Sequence, residues 1–123
     1  KSESWLDTGT IEATLDTNKT LLNQGKANIT KSETKDGVQF IAPSFVHSSA
    51  EISDSVIGPY SSIGPNCRIM NSKIMESIVE ADCEIQDAVL SRSLVGMQAK
   101  VKGRGDQQVI QLNVGDNSDI LLS

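Results

Sequence analysis

Aliphatic residues recur at positions 41, 46, 52, 57, 63, 69, 74, 79, 85, 90, 95 and 101, always five or six residues apart. Three consecutive steps sum to 16 or 17, so the twelve positions fall into three columns of four. A repeat at fixed period decides the architecture before any local reading does. The columns are Ile41, Ile57, Ile74 and Leu90; Val46, Ile63, Val79 and Val95; and Ile52, Ile69, Ile85 and Val101. In a strand, residue i−2 points to the same side as residue i. The residues two before the second column are Ser44, Ser61, Ser77 and Ser93, and those before the third are Ala50, Cys67, Cys83 and Ala99. Before the first column stand Gln39, Ser55, Ser72 and Ala88, so eleven of the twelve inward positions are small and Gln39 is the exception. Small residues beside large ones suit a narrow triangular prism whose strands converge at its corners. Turn signals such as Gly58-Pro59, Gly64-Pro65, Asn71 and Gly96 fall between the anchors.

The spacing therefore predicts an all-β solenoid with three sides and about four coils over residues 41–106, each coil pairing its backbone with the next at roughly 4.7 Å. Aromatic residues make up only 3% of the chain, so aliphatic columns must supply the core. Residues 107–123 alternate as Ile110, Leu112 and Val114, turn at Gly115-Asp116-Asn117-Ser118, and resume at Ile120 and Leu122. They read as a C-terminal hairpin capping the open end. Ahead of the repeat, Ile11, Ala13, Leu15 and Leu22 trace a short helix over residues 10–24, with Thr10 as N-cap and Gly25 as its stop. Residues 26–40, ending in Lys35-Asp36-Gly37, read as a polar linker.

The repeat resembles the hexapeptide-repeat, left-handed parallel β-helix family, through Ile57-Gly58-Pro59-Tyr60-Ser61-Ser62 and Ile63-Gly64-Pro65-Asn66-Cys67-Arg68. The left hand is what the resemblance implies, since the usual crossover rule favours the right. A second resemblance lies at the N-terminus. Trp5-Leu6-Asp7-Thr8-Gly9-Thr10, followed by Asn18 and Leu21-Leu22, resembles the W-x-D-x-G-T element near the end of the sugar-1-phosphate nucleotidyltransferase domain. Gln111-Leu112-Asn113-Val114-Gly115-Asp116-Asn117-Ser118 resembles the end of the long-form thymidylyltransferases of that family.

The resemblance implies that residues 1–25 are the last part of a nucleotidyltransferase domain whose preceding catalytic portion is the missing partner. In the family, a sugar-1-phosphate oxygen attacks the α-phosphorus of a nucleoside triphosphate and pyrophosphate leaves. It also implies a magnesium role for Asp7, as a hard oxygen ligand. The glycine-rich nucleotide loop and the first metal-binding Asp have no counterpart here, so no catalytic or cofactor-binding residue is assigned and this chain alone is expected to be inactive. The solenoid is expected to serve oligomerisation or regulation. The alternatives are a hexapeptide-repeat acyltransferase and a non-catalytic assembly module.

Other chemistry-bearing residues are few. His47, the single histidine, follows Val46 and is expected to point outward; acyltransferases of this repeat class use such a residue as a base. It reads more simply as a surface histidine. Cys67 and Cys83 lie one coil apart, close enough for a disulfide, yet their column continues into Ala50 and Ala99, which favours reduced, buried packing. Lys100, Lys102 and Arg104 read as a solvated corner. Lys plus Arg is 11 against 16 Asp plus Glu, a net charge of −5, which opposes a nucleic-acid partner. Apolar runs of three or four residues are too short to cross a membrane, and a cytoplasmic location is the expectation.

Overall fold

The structure, a computed structural model, describes residues 8–105 and 108–121. Helix α1 (Thr8–Leu21) leads through a wide turn (Leu22–Lys26) to β1 (Glu33–Lys35). The first coil is β2 (Val38–Phe40), β3 (Phe45–Val46) and β4 (Glu51–Ser53), and the second is β5 (Val56–Ile57), β6 (Ser62–Ile63) and β7 (Arg68–Met70). The third is β8 (Lys73–Met75), β9 (Ile78–Val79) and β10 (Glu84–Gln86). The fourth is β11 (Val89–Ser91), β12 (Leu94–Val95) and β13 (Lys100–Lys102), and β14 (Val109–Ile110), β15 (Asn113–Val114) and β16 (Asp119–Leu121) make a fifth.

Every third strand stacks, giving three parallel faces: β2-β5-β8-β11-β14, β3-β6-β9-β12-β15 and β4-β7-β10-β13-β16. We refer to them as faces 1, 2 and 3. This is the solenoid expected from the repeat, and the left-handed winding implied by the hexapeptide resemblance is consistent with it. Ile57, Ile63, Ile69, Ile74, Ile85, Leu90 and Val95 are fully buried in one continuous core.

Three sequence expectations shift. The first column begins at Phe40, which pairs with Ile57, and not at Ile41. Val38, two before it, is buried while Gln39 is exposed, so the odd glutamine leaves the inward set. The last strands form no hairpin: Leu90 pairs in parallel with Ile110, Val95 with Val114 and Val101 with Ile120. Parallel growth satisfies the backbone of the fourth coil on all three sides, which a hairpin lying across the end could not do. Residues 26–40 are also more than a linker, since β1 pairs antiparallel with β2 and closes the edge of face 1. On face 2 the side-chain amide of Asn28 stands in for a strand, donating to the Val46 carbonyl at 2.6 Å and accepting from its N–H at 2.9 Å.

The buried serines have a backbone role. Ser77 Oγ donates to the Met75 carbonyl at 2.7 Å and accepts the Ser93 N–H at 2.9 Å; Ser93 Oγ then accepts the Leu112 N–H at 2.8 Å. Ser55 and Ser72 repeat the motif on the next corner. At the corner the chain turns away from the ladder, and a hydroxyl is the smallest group that gives both a donor and an acceptor there. Gly58 is required twice over. Its φ is +101°, and a Cβ there would stand 2.1 Å from the Ile41 carbonyl oxygen.

Candidate functional site

Helix α1 lies on face 2. Ile11 and Leu15, one turn apart, are buried against Leu94 with Ile78 alongside. Ile78 and Leu94 occupy outward positions of β9 and β12, where solvent would otherwise stand. Thr10 lies inside the helix, not at its cap, and its carbonyl accepts from Thr14 Oγ1 at 2.8 Å. Gly25, at φ +108°, ends the helical run as expected.

A polar rim surrounds that apolar contact. Arg92, at the corner before β12, donates to Glu12, to Asp16 at 3.4 Å and to Glu76 at 3.3 Å. The hydrogen bond to the Glu12 carboxylate raises the Arg92 pKa further above its already high value, against the opposing effect of burial. Lys19 pairs with Glu76 at 3.8 Å and sits 4.7 Å over the Tyr60 ring. Asn18 accepts from Ser62 Oγ at 2.7 Å and donates to the Tyr60 carbonyl at 3.4 Å. The segment carrying the nucleotidyltransferase-like motif is thus held on the solenoid by one apolar pair of turns and a charged seam. Sequence reasoning did not single out Arg92; its signal was a lone cation at a corner with Glu12 and Asp16 one helical turn apart.

Asp7 directly precedes the described helix and lies outside the described residues. Among those residues no three His, Cys, Asp or Glu side chains converge on a possible metal position.

His47 is half-buried on the rim of a cavity of about 370 Å³ at the N-terminal mouth of the solenoid, beside Phe40, Val46 and Ile52. Its Nδ1 accepts the Ser49 N–H at 3.1 Å and lies 2.8 Å from Ser49 Oγ, which in turn accepts the Asn66 N–H. That pattern fixes the ring as part of a local turn. Cys67 and Cys83 are free and fully buried, with thiols donating to the carbonyls of Glu80 and Gly96, each at 2.9 Å. The hydrogen bond to Cys67, with burial, pushes the Cys83 thiol up, so it stays protonated. Lys100 and Lys102 are not in a turn: they point outward from β13, and Lys100 pairs with Glu84 at 3.9 Å.

No family model matches the chain. A glucose-1-phosphate thymidylyltransferase of Streptomyces antibioticus is 29% identical over 114 aligned positions, which take in 79% of this chain and 32% of that protein. The chain resembles the β-helix region of a sugar nucleotidyltransferase. It spans about a third of the length of that relative. Among solved structures, the acetyltransferase domain of PglB from Neisseria gonorrhoeae, in complex with acetyl coenzyme A, matches with 16% identity and a TM-score of 0.29, covering 93% of this chain and 62% of that one. Similarity that low carries no functional weight. No helix among the described residues is long and apolar enough to cross a membrane.

Proposed function

We propose that the chain is the C-terminal β-helix region of a sugar-1-phosphate nucleotidyltransferase that converts dTTP and glucose-1-phosphate to dTDP-glucose and pyrophosphate. The similarity to the Streptomyces thymidylyltransferase carries this reading, because it takes in more of the chain than the solenoid, residues 38–121, makes up. Two features support it. The motif Trp5-Leu6-Asp7-Thr8-Gly9-Thr10 runs straight into α1, and α1 is tied to face 2 through Leu94 and Arg92.

In this reading a preceding domain would supply the nucleotide and sugar sites, and Asp7 would offer a carboxylate to a magnesium ion, whose chemistry would be to offset phosphate charge. The solenoid carries no chemistry. Its role is assembly of the cytoplasmic enzyme into a homo-oligomer. The intact mass of the natural gene product is the first measurement, followed by a dTTP and glucose-1-phosphate assay on that product. A product longer by a nucleotide-binding domain that releases pyrophosphate, and that loses activity on Asp7→Asn, supports the reading. A natural product no longer than these 123 residues overturns it.

A further inference from the structure

The three faces of the prism differ in what they leave uncovered. Face 2 carries α1. On face 1 the outward Val89 is already buried and Val56 half-buried, in a small cleft of about 70 Å³ that Asp54, Asp87 and Gly105 also line. No element among the described residues covers face 3, and its outward residues form two columns set by the parallel register. The first reads Glu51, Arg68, Glu84, Lys100, Asp119, alternating in sign at every coil. The second reads Ser53, Met70, Gln86, Lys102, Leu121, with Met70 39% and Leu121 70% exposed.

We infer that face 3 is a docking surface for a second copy of this chain, set antiparallel about a two-fold axis that runs along the strands between β10 and β13. This rests on the assembly role given to the solenoid above. Such an axis turns the solenoid end for end while each column still faces itself. Arg68 then meets Asp119 of the second copy, Glu84 meets Lys100, Gln86 meets Lys102, and the exposed Met70 meets Leu121. Each contact occurs twice, as a two-fold interface requires.

Other placements fail on charge or leave apolar surface in water. An axis on a strand sets Glu84 against itself and Arg68 against Lys100. An axis along the solenoid sets Lys100 against Lys102. Moving the axis to lie between β7 and β10 keeps the charges paired and leaves Leu121 uncovered. A second copy is also the partner whose ladder has the same rise, roughly 4.8 Å per coil, so the alternating charges stay in step along the whole face. The ladder already pairs within one chain, Arg68 with Glu51 at 4.0 Å and Lys100 with Glu84 at 3.9 Å, which holds the side chains ready for the facing copy.

The test is sedimentation of the 123-residue chain and of two charge reversals, Glu84→Lys and Lys100→Glu. In the arrangement above, each reversal alone places like charges opposite at two equivalent contacts and weakens self-association by at least about tenfold. An equimolar mixture of the two variants pairs opposite charges at both contacts and restores a dimer of mixed composition. Reversals that damaged folding alone could not be rescued by mixing, and a thermal melt of each variant checks its fold directly. A dimer that survives both reversals overturns face 3 while leaving the assembly role intact. Monomers at every concentration overturn both.

Discussion

Faces 2 and 3 belong to one prism, share one interior and are built from strands of two or three residues, yet among the described residues one is covered and the other is not. Their inward residues are nearly interchangeable: Ile63, Val79 and Val95 on one, Ile69, Ile85 and Val101 on the other, all buried. The outward residues differ. Face 2 presents Ile78 and Leu94 in one column, and a helix with matching apolar turns lies on them. Face 3 presents charges of alternating sign, of which Arg68 pairs with Glu51 and Lys100 with Glu84. The repeat thus determines the prism, and its outward positions, free of that repeat, determine what each face meets.

The comparison breaks first if the interior is not shared. Ile85→Ala empties a fully buried position of face 3, and the expected loss is about 2–5 kcal/mol of unfolding free energy. Denaturant unfolding followed by backbone circular dichroism should show one cooperative transition at lower denaturant. Loss of face 3 strands with face 2 strands retained would mean that the coils are not one unit. A sharper cut is Leu94→Ala, on the outer side of face 2. Leu94 is 3% exposed because Ile11 and Leu15 cover it. Removing that contact costs about 2 kcal/mol, and the loss belongs to the helix. Hydrogen exchange should quicken in Thr8–Leu21 and stay unchanged in β10. Equal quickening in both would show that the helix is part of the core and not a cover.

Much of this was legible from the chain, and the failures have physical causes. Eleven of the twelve proposed anchors stand in the core columns, because burial inside a closed prism leaves no freedom in which residues point inward. The first anchor slipped by one because an aliphatic-only rule passes over Phe40, and the misfit Gln39 was the visible sign. The fifth coil was hidden because Ile110 follows Val101 by nine positions, which interrupts the period of five or six. Alternation of Ile110, Leu112 and Val114 then imitated one strand, whereas the three turn a corner with all of them facing inward. The docking of α1 was legible only in part. Ile78 and Leu94 are 16 residues apart at outward positions, but two neighbouring apolar residues in a column do not name what covers them.

The smallest effect concerns a charge at the corner that follows face 2. The positions after the anchors of β6, β9, β12 and β15 are Gly64, Glu80, Gly96 and Gly115, so Glu80 is the one carboxylate in a row of glycines. Burial raises its pKa, and the nearby negative charge of Asp116 raises it further. The folded chain therefore holds the Glu80 proton more tightly than the unfolded chain does. The contribution of Glu80 to stability is therefore greatest below the ordinary carboxylate range and falls as pH rises through the raised folded value. Glu80→Gln removes the charge while keeping the shape. The variant should be slightly more stable than the parent at neutral pH, and its stability should decline less between mildly acid and neutral pH, read from urea midpoints across that range. Identical pH profiles for the two chains would mean that Glu80 is as well hydrated as the carboxylates of face 3, and the corner beyond face 2 would then be no more sheltered than the bare face.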